Sequence, residues 1–115
     1  MPYIEIKTTR KVTPKHKAKI AERMIASFAE VSDEYVSGNI QLTIMDDCWS
    51  SFRKTHDQPS VYIQISPGPL TPKEHYAGIV EAFFRIITKE LDIPQNRVYI
   101  TVTEIQNWGY DGRLL

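Results

Sequence analysis

Val61-Tyr62-Ile63-Gln64-Ile65-Ser66-Pro67-Gly68-Pro69-Leu70-Thr71-Pro72-Lys73 decides the fold, because residues 3–15 are written on the same plan. Both stretches open with alternating positions: Tyr3-Ile4-Glu5-Ile6-Lys7 in the first, Val61-Tyr62-Ile63-Gln64-Ile65 in the second. A period of two predicts a strand; in the first copy Ile4 and Ile6 take one face and Tyr3, Glu5 and Lys7 the other. Each run is followed by a Thr-Pro-Lys triplet, Thr13-Pro14-Lys15 and Thr71-Pro72-Lys73. Threonine suits a helix N-cap and proline the first helical position. Glu74 is placed to complete a capping box with Thr71, where the first copy has His16.

Working outward, both triplets lead into helical periodicity. Ile20, Met24 and Phe28 recur four apart, flanked by Ala21 and Ile25, while Lys17, Lys19, Glu22 and Arg23 keep the other face polar. In the second copy Val80, Phe83, Phe84, Ile87 and Leu91 form the inward face, and Pro94 stops the helix shortly after Asp92. Each unit closes with another strand, Ile40-Gln41-Leu42-Thr43-Ile44 and Val98-Tyr99-Ile100-Thr101-Val102, with Trp49 and Trp108 beyond them. The halves match at an offset of about 58–59 residues. A helix between two strands permits parallel pairing through a right-handed crossover. The expected fold is therefore α/β (α+β): a duplicated βαβ unit making a four-stranded mixed sheet with two helices on one face. One domain over residues 1–115 is expected, in two halves of about 1–58 and 59–115.

Composition narrows the function. Lysine plus arginine and aspartate plus glutamate each total 14. With no net charge there is no electrostatic case for a nucleic-acid or anionic-membrane partner. Cys48 is the single cysteine, which excludes an intrachain disulfide, a CxxC redox pair and a cysteine zinc cluster. No signal-peptide pattern or long apolar segment opens the chain, so a cytoplasmic location is the expectation.

The other face of the sheet is less usual. It would carry Tyr3, Glu5, Gln41, Thr43, Tyr62, Gln64, Tyr99 and Thr101, too polar for a second helical layer and too weakly charged for open water. Covering it with further copies of the chain is the economical arrangement.

Pro2 carries the chemical signal. Removal of Met1 would leave a secondary amine at the head of the first strand. Ordinary α-amino groups titrate near pH ~7.7–8.0, and apolar burial disfavours their charged form. A buried N-terminal proline can therefore act as a base or nucleophile at neutral pH. The plainer reading is a proline at a chain start where no N–H is needed.

The Met-Pro start, the duplicated βαβ unit, Leu91-Asp92-Ile93-Pro94-Gln95-Asn96-Arg97-Val98-Tyr99-Ile100 and Asn107-Trp108-Gly109-Tyr110-Asp111-Gly112 together resemble the tautomerase superfamily. Within it, the chain is similar to macrophage migration inhibitory factor and its microbial relatives. Asp57-Gln58-Pro59 fits the same pattern, and Thr103-Glu104 resembles a strand end of the smaller 4-oxalocrotonate tautomerases. The resemblance implies a homotrimer with active sites between subunits, and keto–enol tautomerisation of an α-keto acid such as phenylpyruvate without a cofactor or metal. It also implies roles. Pro2 would be the catalytic base, and Tyr99 a pocket residue contributed by the neighbouring subunit. Thr101 would stand where many relatives carry asparagine, Ser66 and Pro67 at the pocket wall, and Trp108 and Tyr110 in an apolar lid.

Departures accompany the resemblance. A lysine that relatives use to hold the substrate carboxylate is missing after the first helix, where Val31-Ser32-Asp33-Glu34-Tyr35 brings acids instead. Pro67 stiffens its turn and has no N–H to donate. The arginine pair of the family's dehalogenases and decarboxylases is also absent after the third strand. Arg113, Lys7 and Arg10 are candidate carboxylate anchors, each against the plainer reading of a solvated surface cation.

Other residues have bland readings. His16, His56 and His75 are scattered and do not suggest a metal site. Asp46-Asp47 reads as a solvated strand end, Cys48 as a small buried apolar residue, and Trp49 as packing at a subunit contact. Two rivals to the enzyme remain: a binding or signalling protein on the same trimeric scaffold, and a monomeric ferredoxin-like module.

Overall fold

The structure, a computed structural model, describes residues 2–69 and 71–115. The expected removal of Met1 concerns a residue outside that set. Among the described residues, strands and α-helices run in the order β1 (Tyr3–Thr8), α1 (Pro14–Val31), β2 (Gln41–Met45), β3 (Val61–Ser66), α2 (Tyr76–Leu91), β4 (Val98–Val102), β5 (Gly109–Tyr110) and β6 (Arg113–Leu114). The main sheet has the order β2-β1-β3-β4. β1 pairs parallel with β2, β3 parallel with β4, and the two halves meet through antiparallel β1 and β3. The four-stranded mixed sheet expected from the duplication is thus present; β5 and β6 add a small C-terminal hairpin.

One face of that sheet carries the core. Ile4 and Ile6 of β1, Val61, Ile63 and Ile65 of β3 and Val98 of β4 are buried against both helices. α1 contributes Ile20, Met24 and Phe28; α2 contributes Ile79, Phe83, Ile87 and Leu91. Burying each large apolar side chain stabilises by roughly 1.5–3 kcal/mol. Phe28 joins the helices, edge-on to Phe83 at 5.7 Å and to Tyr35 at 5.0 Å. Glu90 clamps them a second way. Its largely buried carboxylate on α2 faces three cationic or titratable α1 side chains: Arg23 at 3.4 Å, Lys19 at 3.5 Å and His16 at 3.8 Å.

The two helix starts diverge. Thr13 caps α1 as expected, its hydroxyl accepting from the His16 N–H at 3.1 Å. Thr71 does not cap α2. Its hydroxyl donates instead to the carbonyls of Pro67 at 2.9 Å and Gly68 at 3.1 Å, and α2 begins only at Tyr76 after a 3₁₀ turn, Lys73–His75. The hydroxyl is already used in fastening Thr71 to Pro67 and Gly68, so the expected capping box with Glu74 does not form. Asp46 also differs from a merely solvated strand end. It accepts from the Val12 N–H at 2.9 Å and from Lys17 Nζ at 2.7 Å, tying the end of β2 to the entry of α1.

Candidate active site

Strand direction decides what gathers around Pro2. The starts of β1 and β2 lie at one end of the sheet because those strands are parallel. β3 is antiparallel to β1 and β4 parallel to β3, so their C-terminal ends reach the same place. The segment after β4 therefore returns toward the head of β1. Pro2 is buried there, its carbonyl accepting from the Gln41 N–H at 3.1 Å. A cavity of about 260 Å³ opens beside it, lined by Pro2, Tyr3, Gly38, Asn39, Ile40, Gln41, Trp108, Gly109 and Tyr110. Trp108 is fixed by its indole N–H, which donates to the Ile105 carbonyl at 2.9 Å. The Leu115 N–H donates to the Trp108 carbonyl at 2.8 Å and closes the hairpin over it.

Three expected site residues, Pro2, Trp108 and Tyr110, thus meet in one cavity. Ser66 ends β3 paired with Tyr3 and Pro67 follows it out of the sheet, but both are buried and neither lines the cavity. Gly38, Asn39, Ile40 and Gln41 were not foreseen. Their place follows from the parallel pairing of β1 with β2, a signal available once that pairing is drawn.

Tyr99 and Thr101 lie elsewhere on the same chain. Tyr99 stands in one cross-strand row with Tyr62 and Lys7, and Thr101 in a row with Gln64 and Glu5. At about 3.3 Å per residue and about 4.8 Å per strand, Tyr99 is on the order of 19 Å from Pro2 and Thr101 about 14 Å. Neither side chain spans that gap. Tyr99 is 64% exposed, and the hydroxyls of Tyr62 and Thr101 are hydrogen-bonded at 2.8 Å on the uncovered face.

A second cavity, about 320 Å³, lies at the Tyr99 end and includes Lys7, Cys48, Trp49, Phe52 and Tyr62 in its lining. Cys48 is half-buried, not buried. Its thiol reaches the carbonyls of Met45 at 3.6 Å and Asp46 at 3.7 Å. Trp49 is 78% exposed and stacks on His56 at 6.0 Å. Arg97 organises this region. The guanidinium, on a residue 6% exposed, donates to the carbonyls of Pro59, Phe52 and Gln58 at 3.0 Å each and to the Thr55 hydroxyl at 2.9 Å. It also lies 5.0 Å from the centre of the Phe52 ring, and Phe52 packs edge-on against Tyr99 at 4.7 Å. Arg97 thereby fixes both the 52–59 loop and the ring that Tyr99 leans on.

The three candidate carboxylate anchors are also placed. Lys7 is at the far end of β1 and pairs with Glu5 at 3.4 Å. Arg10 donates to the Asp92 carbonyl at 3.0 Å. Arg113 sits opposite Tyr110 in the hairpin. His75 accepts from or donates to the Tyr35 hydroxyl at 3.0 Å, and burial raises the Tyr35 phenol above its ordinary range. No group of three or more histidine, cysteine or acidic side chains among the described residues is arranged to hold a metal ion. No helix among them is long and apolar enough to cross a membrane.

The chain matches the family model described as macrophage migration inhibitory factor over residues 1–114. Solved structures share its fold at low identity. The Leishmania major protein MIF2 is 17% identical, with a TM-score of 0.88 over 100% of this chain and 97% of that one. The macrophage migration inhibitory factor-like protein of Entamoeba histolytica is 20% identical, with a TM-score of 0.85 over 99% and 98%. Pt0534, solved in a form inactivated by 2-oxo-3-pentynoate, is 15% identical, with a TM-score of 0.80 over 96% and 92%. No curated protein sequence matches the chain.

Proposed function

The chain belongs to the macrophage migration inhibitory factor family, and on that premise we propose that it is a cofactor-independent keto–enol tautomerase acting on an α-keto acid such as phenylpyruvate. Pro2, freed by removal of Met1, is the general base. The observation that carries this reading is the buried Pro2 at the head of β1, walled by Trp108 and Tyr110 in a cavity open to a small flat molecule.

In this mechanism the free amine takes a proton from the carbon next to the keto group, and the electrons of the broken C–H bond form the enolate. The same proton is then delivered to the enolate oxygen, giving the enol with no net consumption of acid or base. Aromatic walls exclude water and disfavour a charged amine in the resting state. Hydroxyl donors are needed where the oxygen becomes negative. Tyr99 and Thr101 supply them from a neighbouring copy, since their distance from Pro2 within one chain excludes an intramolecular role. Ser66 and Pro67 support the wall behind Pro2. A homotrimer closing over the uncovered sheet face provides that arrangement. Inactivation of Pt0534 by a 2-oxo acid supports an α-keto acid as the substrate class. A cytoplasmic location accompanies the proposal.

The test is ketonisation of phenylenolpyruvate by protein shown by intact mass to lack Met1, beside Pro2→Ala. Loss of most of the rate in the variant, with the oligomer intact, is expected, because the base becomes a primary amine without the ring that fixes its position. Equal rates in the two proteins would take Pro2 out of the mechanism.

One observation favours the second reading, a non-catalytic binding or signalling protein on the same scaffold. Among the described residues, the lining of the Pro2 cavity contains no lysine or arginine, although a keto acid carries a carboxylate. Met-free protein that accelerates no keto acid, yet captures a protein partner through the 108–110 surface, would decide for that reading.

A further inference from the structure

Among the described residues, the lining of the cavity beside Pro2 offers a substrate carboxylate no cation. The hairpin that closes the cavity can supply one. Asp111 and Gly112 form the turn with φ of 52° and 82°, the doubly left-handed pair of a type I′ two-residue hairpin turn. That turn fixes the register, pairing Tyr110 directly with Arg113. Residues directly opposite in an antiparallel pair project from the same face, with Cβ atoms about 4.5–5.5 Å apart. Tyr110 faces the cavity, so Arg113 projects beside it at the rim.

Arg113 is exposed, and among the described residues no hydrogen bond or ion pair engages its guanidinium. The other two candidates are committed or remote. Lys7 is at the opposite end of β1, paired with Glu5, and Arg10 is bound to the Asp92 carbonyl. A guanidinium is a planar fork that matches a carboxylate through two parallel hydrogen bonds.

We infer that Arg113 binds the carboxylate of the α-keto acid at the mouth of the Pro2 cavity, supplying the cation that the loop after α1 lacks. This rests on the keto-acid reading above. It narrows the substrate to a monoanionic keto acid whose flat apolar tail lies against Trp108 and Tyr110, with the carboxylate directed outward to the hairpin and the reacting carbon inward to Pro2. Rim placement keeps the pair partly screened, so the effect is moderate and salt-dependent.

The experiment compares Met-free wild type, Arg113→Ala and Arg113→Lys on phenylpyruvate and on its methyl ester, with direct calorimetric binding of phenylpyruvate to each. Circular dichroism confirms that the variants are folded. The preference for acid over ester is expected to fall about tenfold in Arg113→Ala, through KM and not kcat. Arg113→Lys should recover part of it, because the charge remains and the fork does not. Added salt should move wild type toward the alanine variant. An unchanged acid-to-ester preference in an active Arg113→Ala protein overturns the inference alone. Binding of phenylpyruvate that depends on Arg113 without turnover upholds it and overturns the catalytic reading. Wild type that neither binds nor converts phenylpyruvate overturns both.

Discussion

Replacing Arg97 tests how far one buried side chain holds the Tyr99 end of the sheet. Its guanidinium makes four hydrogen bonds to the 52–59 loop, three of them to main-chain carbonyls. At about 1.5 kcal/mol for each bond from a charged donor, the gross contribution is about 6 kcal/mol. About half returns in Arg97→Met, because much of the loop is exposed and its carbonyls can turn to water. A net loss of about 3 kcal/mol remains. For a chain of this size that lowers Tm by roughly 10–15 °C. Arg97→Lys should recover less than half, since one ammonium cannot reach acceptors spread from Phe52 to Pro59. Thermal and urea unfolding would measure this at one fixed protein concentration, because self-association shifts apparent stability. Hydrogen exchange should show faster exchange in residues 52–59 than in β3. A methionine variant within about 1 kcal/mol of wild type, or a lysine variant equal to it, would refute the account of the forked anchor.

Two further expectations concern the helices and acid stability. Glu90→Gln leaves the shape of the α1–α2 contact but removes the charge facing His16, Lys19 and Arg23; a loss of about 1–2 kcal/mol is expected in urea unfolding at neutral pH, and no change would mean the cluster is energetically idle. The Lys17 hydrogen bond, with that from the Val12 N–H, holds the Asp46 carboxyl below the usual carboxylate range. Because the folded value is the lower one, this stabilisation is complete above the unfolded value, near pH ~3.9, and is lost as pH falls through the folded value. Asp46→Asn should therefore unfold with a shallower pH dependence below about pH 4; parallel acid titrations of the two proteins would expose the error.

The fold was readable because its information is local and written twice. Ile4 and Ile6, Ile63 and Ile65, and the two Thr-Pro-Lys triplets each announce an element from a few neighbouring residues. Thr71 shows where local pattern fails: its hydroxyl has two carbonyl acceptors in the preceding turn, and no capping rule records that competition. Asp46 fails similarly, since its partners Val12 and Lys17 are distant in sequence and meet it only after β2 docks beside β1. Arg97 belongs to the stretch that carries the resemblance, but its role in holding the 52–59 loop is not legible there. Its acceptors are mostly backbone carbonyls, which carry no side-chain identity to read. In the candidate site, Pro2, Trp108 and Tyr110 were legible as residue types. The contribution of 38–41 was not, because it depends on strand direction rather than on any feature of Gly38 or Asn39.

The strand order β2-β1-β3-β4 has a further consequence. The two outermost strands, Gln41–Met45 and Val98–Val102, each leave a row of main-chain donors and acceptors without a neighbouring strand in the main sheet. Proteins commonly guard such borders with lysine, proline or inward-pointing charge, because an unguarded border templates pairing with any passing chain. Gln-Leu-Thr-Ile-Met and Val-Tyr-Ile-Thr-Val contain none of these guards. Coverage is the remaining protection: in the homotrimer proposed above, copies docked border to border would spend the same backbone groups that otherwise invite aggregation.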